Sequence, residues 1–304
     1  MSSVAVSKLH TLTGHRDCLY TLASSGQKNR FFSAGGDGMV AEWDLHDPEN
    51  GQLIANLPAS IYAMLYLEDQ NYLVVGQNFE GIHIIDLNDK KEVGSLKLTD
   101  AAIFDLKYWE GKLFIASGDG HLTVVDLQQM AVIFQEQASL KSARCIAINQ
   151  FRNEWAVGFS DHSIRVFSLS DHTMQTHIKA HKNSVFSLVY APDNSLLLSA
   201  GRDAHLKVWN AEKDYELKES IAAHMYAINH LEFSPTGHHF VTCSMDKSIK
   251  VWDFAALKLL KVIDKARHAG HATSVNKLLW SGYQDLLVSC SDDRTISVWD
   301  LKIS

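Results

Sequence analysis

The strand phrase SVWDL (297–301) recurs six times in this chain at a near-constant period, and no other feature constrains the fold as tightly. Its counterparts are KVWDF (250–254), KVWNA (207–211), RVFSL (165–169), TVVDL (123–127), HIIDL (83–87) and AEWDL (41–45). The position of Trp299 is filled by Trp252, Trp209, Phe167, Val125, Ile85 and Trp43, and from Trp43 onwards the gaps are 42, 40, 42, 42, 43 and 47 residues. Each copy holds three short stretches rich in β-branched, aromatic or aliphatic residues with turn residues between them, which is strand patterning. In the fifth copy these are residues 184–190, 195–201 and 205–209, with the tight turn GRDAH (201–205) before the last. A more polar fourth stretch, such as YELKESI (215–221), suits an outer edge strand facing water.

Four copies carry a second pattern at fixed spacing. His15, His181, His224 and His271 each precede by 22 residues an Asp in the tight turn, namely Asp37, Asp203, Asp246 and Asp293. Four residues before that Asp stands Ser33, Ser199, Thr242 or Ser289, and six after it Trp43, Trp209, Trp252 or Trp299. A Ser, a His and an Asp suggest nucleophilic hydrolysis. An active site, however, needs one such set in a cleft beside an oxyanion hole, and four identical sets point to scaffolding.

Seven antiparallel four-stranded units at this period resemble a β-propeller of the WD-repeat family, and the likeness covers almost the whole chain. The resemblance implies an all-β fold: a seven-bladed β-propeller of four-stranded antiparallel sheets, a single domain over residues 1–304. VAVSKLHTL (4–12) is expected to lie beside Ser297–Leu301 as the outer strand of the last blade, so that the N-terminal strand closes the ring. In each complete copy the resemblance implies a hydrogen-bonded chain from indole through hydroxyl and imidazole to carboxylate. Copies two, three and four depart from the pattern. Copy two has Asn78 and an extra turn residue, copy three keeps Asp119 without a His, and copy four keeps Asp161 with Phe167 in place of Trp; these blades are expected to be looser.

By the same resemblance the inter-blade loops and the Asp turns share one face, the top. Its exposed positions nominate Tyr20, Tyr62, Phe104, Arg144, Phe186, Asn229 and Asn276 from the inner strands, and Arg202, Met245 and Asp292 from the residues before the turn Asp. Tyr, Phe, Met and Arg around a channel mouth have the composition of a protein-binding hot spot. The other reading is that the aromatics tip inwards and plug the channel. The longest inter-blade loop, DKARHAGHA (264–272), adds Lys265, Arg267 and His268, a positive sector suited to a peptide with Asp, Glu or phosphate beside an apolar anchor.

Composition narrows the function. A net charge of −7 opposes the phosphate field of nucleic acid. No apolar run approaches the roughly 20 residues of a membrane span, and the N-terminus lacks a signal-peptide pattern, which gives a cytoplasmic address by default. Four scattered cysteines form no CxxC pair. GxSxG and HExxH are absent, SAGGDG (33–38) lacks the Lys-Ser or Lys-Thr of a phosphate loop, and neither His238/His239 nor His268/His271 has a carboxylate or thiol to complete a metal site. The expectation is therefore no catalytic residue, no metal and no cofactor, in a scaffold that binds a partner protein or peptide on the top face. The alternative, an enzyme or small-ligand binder working in the central channel, rests on fold analogy alone.

Overall fold

A computed structural model describes residues 4–303. The strands form seven four-stranded antiparallel sheets, the blades of a seven-bladed β-propeller. Blade 1 comprises Leu19–Ser24, Arg30–Gly35, Met39–Asp44 and Asp47–Asn56. Blade 2 comprises Ile61–Leu67, Tyr72–Gln77, Gly81–Asp86 and Lys91–Lys97, and blade 3 Ile103–Trp109, Lys112–Ser117, His121–Asp126 and Ala131–Gln137. Blade 4 is built from Ala143–Asn149, Glu154–Phe159, Ser163–Ser168 and Met174–Lys179, and blade 5 from Val185–Tyr190, Leu196–Gly201, His205–Asn210 and Glu216–Ala222. Blade 6 follows with Ile228–Phe233, His239–Ser244, Ile249–Asp253 and Lys258–Ile263.

Blade 7 takes Val275–Trp280, Leu287–Ser291 and Ile296–Ile303 from the end of the chain and Val4–Leu12 from its beginning. Val4 lies opposite Ile303 and Leu12 opposite Ile296, so the N-terminal strand completes the last sheet as the repeat pattern implied.

Burial follows strand position. The second strand of each blade is packed on both sides, so Leu196–Gly201 reads as a mostly apolar run, interrupted at Ser199, rather than an alternation. Outer strands face water, and Glu216–Ala222 exposes every residue but Ile221. Two compact units are distinguished. In residues 4–73, 86–91 and 229–303, the inner strands of blades 1, 2 and 7 lie side by side, and the core gathers Phe31, Trp43, Val288 and Val298 around Leu19. In residues 74–85 and 92–228, the inner strands of blades 3, 4 and 5 pack together over Phe114, Trp155, Phe159 and Phe167.

Blade 4 solves the loss of its Trp in a particular way. Elsewhere the strand Trp faces an apolar residue on the second strand: Trp43 opposite Phe31, Trp209 opposite Leu197, Trp252 opposite Phe240, Trp299 opposite Leu287. In blade 4 the pair is inverted. Phe167 stands opposite Trp155, which is wholly buried and donates its indole N–H to the Ser168 carbonyl at 3.2 Å.

Candidate functional site

In six of the seven blades the tight turn is organised by an aspartate. Asp37 Oδ1 accepts the N–H of Met39 at 3.1 Å, and Asp119, Asp161, Asp203, Asp246 and Asp293 do the same for the residue two further on. These are Asx turns, which require a short side-chain acceptor and force the residue between into the left-handed region. Glycine fills that position at Gly38 (φ 70°) and Gly120 (φ 82°), whereas His162, Ala204, Lys247 and Arg294 adopt it despite their side chains.

From these turns the carboxylates reach the preceding loop. His15 Nδ1 lies 2.9 Å from Asp37, its Nε2 2.8 Å from Ser33 Oγ, and Trp43 donates its indole N–H to the same hydroxyl at 2.8 Å. His181, Ser199, Asp203 and Trp209 repeat the arrangement, as do His271, Ser289, Asp293 and Trp299. In blade 6 Trp252 donates to Thr242 at 3.0 Å, and His224 is buried. Burial alone would raise the Asp203 and Asp293 carboxyls. Hydrogen bonds from His181 and His271, joined by the backbone N–H groups of Lys182 and Ala272, hold both well below the usual carboxylate range.

That depression has a sign. Once the pH falls below about 4, the unfolded chain takes up protons that the folded carboxylates refuse, so stability present at neutral pH is lost progressively on acidification. Urea midpoints measured from pH 5 to pH 2 are expected to fall, and Asp203→Asn should flatten the slope. Unchanged midpoints across that range would contradict the account.

Blades 3 and 4 keep their turn carboxylates engaged without a histidine from the preceding loop. Asp119 takes Ser117 Oγ at 2.6 Å and Thr99 Oγ1 at 2.7 Å, and these bonds outweigh burial to draw its carboxyl down to about 2. Asp161 takes Ser139 Oγ at 2.8 Å, and Ser139 lies 22 residues earlier, at the histidine position. The lapse is in blade 2, where the buried amide oxygens of Gln77 and Asn78 have no partner.

The inner strands carry a feature hidden from sequence alternation. Their pairing with the second strand slips by one residue between Leu19 and Thr21, Ile103 and Asp105, Ala143 and Cys145, Val185 and Ser187, and Val275 and Lys277. The extra residues are Tyr20, Phe104, Arg144, Phe186 and Asn276, all nominated from the sequence. A β-bulge re-aims the side chain of its unpaired residue.

In the unit containing blades 3 to 5 the bulged side chains meet. The Arg144 guanidinium carbon lies 4.0 Å from the centre of the Phe104 ring and 5.4 Å from that of Phe186, and Arg144 Nε donates to Ser160 Oγ at 2.9 Å. Each of the three is half-buried. Arg202 is exposed at its turn.

In the other unit Tyr20 and Tyr62 stack with ring centres 4.6 Å apart. Asn276 and Asn229 act as clasps. Asn276 Nδ2 donates to the Leu19 carbonyl and to Asp292 Oδ1, both at 2.7 Å, and Asn229 Nδ2 donates to Ser274 Oγ and the Val275 carbonyl, both at 2.9 Å. These bonds tie blade 6 to blade 7 and blade 7 to blade 1. Met245 stands 52% exposed.

In the long loop the basic residues are held differently, Lys265 exposed and Arg267 paired. Residues Lys265–His268 make one helical turn capped by Asp264, which accepts the Arg267 backbone N–H at 2.9 Å and binds its guanidinium at 2.6 and 2.9 Å. The Arg267 charge is met inside the loop. Sequence reasoning passed over Leu140, 89% exposed, and Met225, which follow Ser139 and His224 where blades 1 and 5 place Arg16 and Lys182. An apolar residue directly after the histidine position was the available signal. Among the described residues no group of three His, Cys, Asp or Glu is placed to hold a metal, and no helix is long and apolar enough to cross a membrane.

Comparison with known proteins follows the same division of the repeats. The family model "WD domain, G-beta repeat" matches residues 6–44, 172–210, 215–253 and 263–300, about half of the chain and the four copies with the complete His–Asp–Trp set. The chain is similar to Transducin-like enhancer protein 2 of Mus musculus (28% identity over 217 residues, 68% of this chain) and to Protein groucho of Drosophila melanogaster (25% over 217 residues, 68%). It also resembles Striatin-3 of Rattus norvegicus (26% over 218 residues, 66%). It spans 28%, 29% and 27% of the lengths of these three proteins. In fold it matches the crystal structure of the WD40 beta propeller domain of Doa1, with a TM-score of 0.86, 16% identity and 97% of both chains covered.

Proposed function

The chain belongs to the WD domain, G-beta repeat family, and from that premise we propose that it is a non-catalytic scaffold binding a partner protein or peptide at the Asp-turn ends of its blades. One observation carries this reading: the same repeat position bulges out of successive inner strands, and in blades 3 to 5 it assembles the Phe104–Arg144–Phe186 stack. Two aromatic rings held around a guanidinium offer apolar area and a fixed positive charge with little side-chain entropy left to lose. The complementary partner presents an apolar residue beside a carboxylate. Four free cysteines, three of them buried, fit a reducing compartment such as the cytoplasm.

The test is quantitative recovery of co-purifying proteins by the tagged chain and by an Arg144→Ala/Phe186→Ala double variant. Loss of one partner by at least about tenfold, which corresponds to roughly 1.4 kcal/mol, is expected, with a melting temperature within a few degrees of the parent. Equal recovery, or a variant that fails to fold, overturns the assignment, because the rings would then be core.

A further inference from the structure

Blade 4 carries a second feature, away from that stack and independent of it. In the hairpin of Ser163–Ser168 and Met174–Lys179, Arg165 lies directly opposite His177, and Ser163 opposite Lys179. Residues two apart on a strand share a face, so all four side chains stand together. They border a groove lined by Asp161, His162, Ser163, His177, Lys179 and His181. Lys207, from blade 5, donates to the Ala180 carbonyl at 2.5 Å and adds a second ammonium at its margin.

The one carboxylate in the groove is already committed. Asp161 accepts Arg165 Nη2 at 2.6 Å, Ser139 Oγ at 2.8 Å, and both the hydroxyl and the N–H of Ser163 at 2.5 and 3.0 Å. Arg165 offsets its charge, with only 12% of the arginine side chain exposed, its guanidinium over the Phe159 ring at 4.6 Å and its Nε–H buried without a partner. His162, His177 and Lys179 are exposed around it. On a chain of net charge −7, a concave site with one neutralised carboxylate, two ammonium groups and two exposed imidazoles is a local reversal of the field.

We infer that this groove binds a phosphate group. The donors come from two strands and from the turn at His162, so an acceptor must meet them from several directions. A phosphate offers three strong acceptor oxygens and close to two negative charges, whereas a carboxylate offers two oxygens and one charge. Lysine serves such a group as a point charge and arginine as a fixed fork.

Inorganic phosphate titrated into the full chain, followed by NMR of the histidine side chains, is expected to give saturable shifts at His162 and His177 in the millimolar range. Lys179→Gln and His177→Gln, both at exposed positions where the fold is not at risk, should each weaken binding about tenfold, the effect of one charge-assisted hydrogen bond. A phosphoserine peptide binding at least about tenfold more tightly than inorganic phosphate would assign the site to a phosphorylated partner. Equal binding would assign it to the free ion. The inference is overturned if sodium chloride at matched ionic strength reproduces the shifts, or if both substitutions leave the phosphate affinity unchanged. Neither result touches the Phe104–Arg144–Phe186 proposal, whose variants lie elsewhere on the blades.

Discussion

Deletion of Val4–Leu12 is expected to lower the stability of the protein by about 3–6 kcal/mol, the burial of two large apolar side chains at roughly 1.5–3 kcal/mol each. Val4 and Leu12, at the two ends of the strand, are both buried, and Val4 belongs to the same cluster as Trp299, Val241 and Val251. Removing the strand also strips Ile296–Ile303 of its antiparallel partner. An unpaired edge of that length is a template for other chains, so the truncated protein should associate as its concentration rises. Urea unfolding measures the first effect and size-exclusion chromatography across a dilution series the second. A peptide of residues 1–14 added in trans should restore part of the lost stability. A truncated chain with the parent midpoint would mean that the ring does not depend on this strand.

Trp155→Ala is expected to cost about 3–5 kcal/mol, the range for emptying a buried aromatic site. The indole packs edge-on to Phe114 with centres 5.0 Å apart and tilts over Phe167 at 5.1 Å, so its loss opens a void that three rigid neighbouring strands cannot close. Trp155→Phe separates packing from hydrogen bonding. The Ser168 carbonyl would still accept the His172 N–H, so this change should cost only about 1–2 kcal/mol. If Trp155→Ala cost less than about 1 kcal/mol, the indole would not be replacing the displaced strand tryptophan.

The contrast between blades explains what the sequence could and could not reveal. Blades 1, 5, 6 and 7 were legible because four side chains must meet at fixed separations, which fixes their spacing along the chain. The Asx turn demands less, only a short acceptor, so Asp119 and Asp161 survive while their partners drift to Thr99 and Ser139. Ser139 keeps the 22-residue spacing but not the imidazole, Thr99 stands 20 residues before Asp119, and the exchange that put tryptophan at 155 had no fixed spacing to betray it. Buried polar atoms without a hydrogen-bond partner occur in all three of the blades expected to be looser: the amide oxygens of Gln77 and Asn78 in blade 2, His121 Nδ1 in blade 3, and Arg165 Nε and His172 Nδ1 in blade 4.

For the candidate site the residues were legible and their roles were not. Tyr20, Phe104, Arg144, Phe186 and Asn276 were singled out by position, yet a bulge is a relation between two strands and leaves no mark on either alone. Whether an amide at that position binds a partner or clasps a neighbour depends on what lies across the gap. Asn276 meets the Leu19 carbonyl there, and Arg144 meets two rings.

The pairing of Val4 with Ile303 bears on how the molecule responds to force. Because the two strands run antiparallel with these residues side by side, tension applied at both would part the ladder like a zip, one hydrogen bond after another. Heat or urea must instead break the whole sheet at once. The seam can thus be opened by a weaker pull at these two residues than shearing the same strands lengthwise would need.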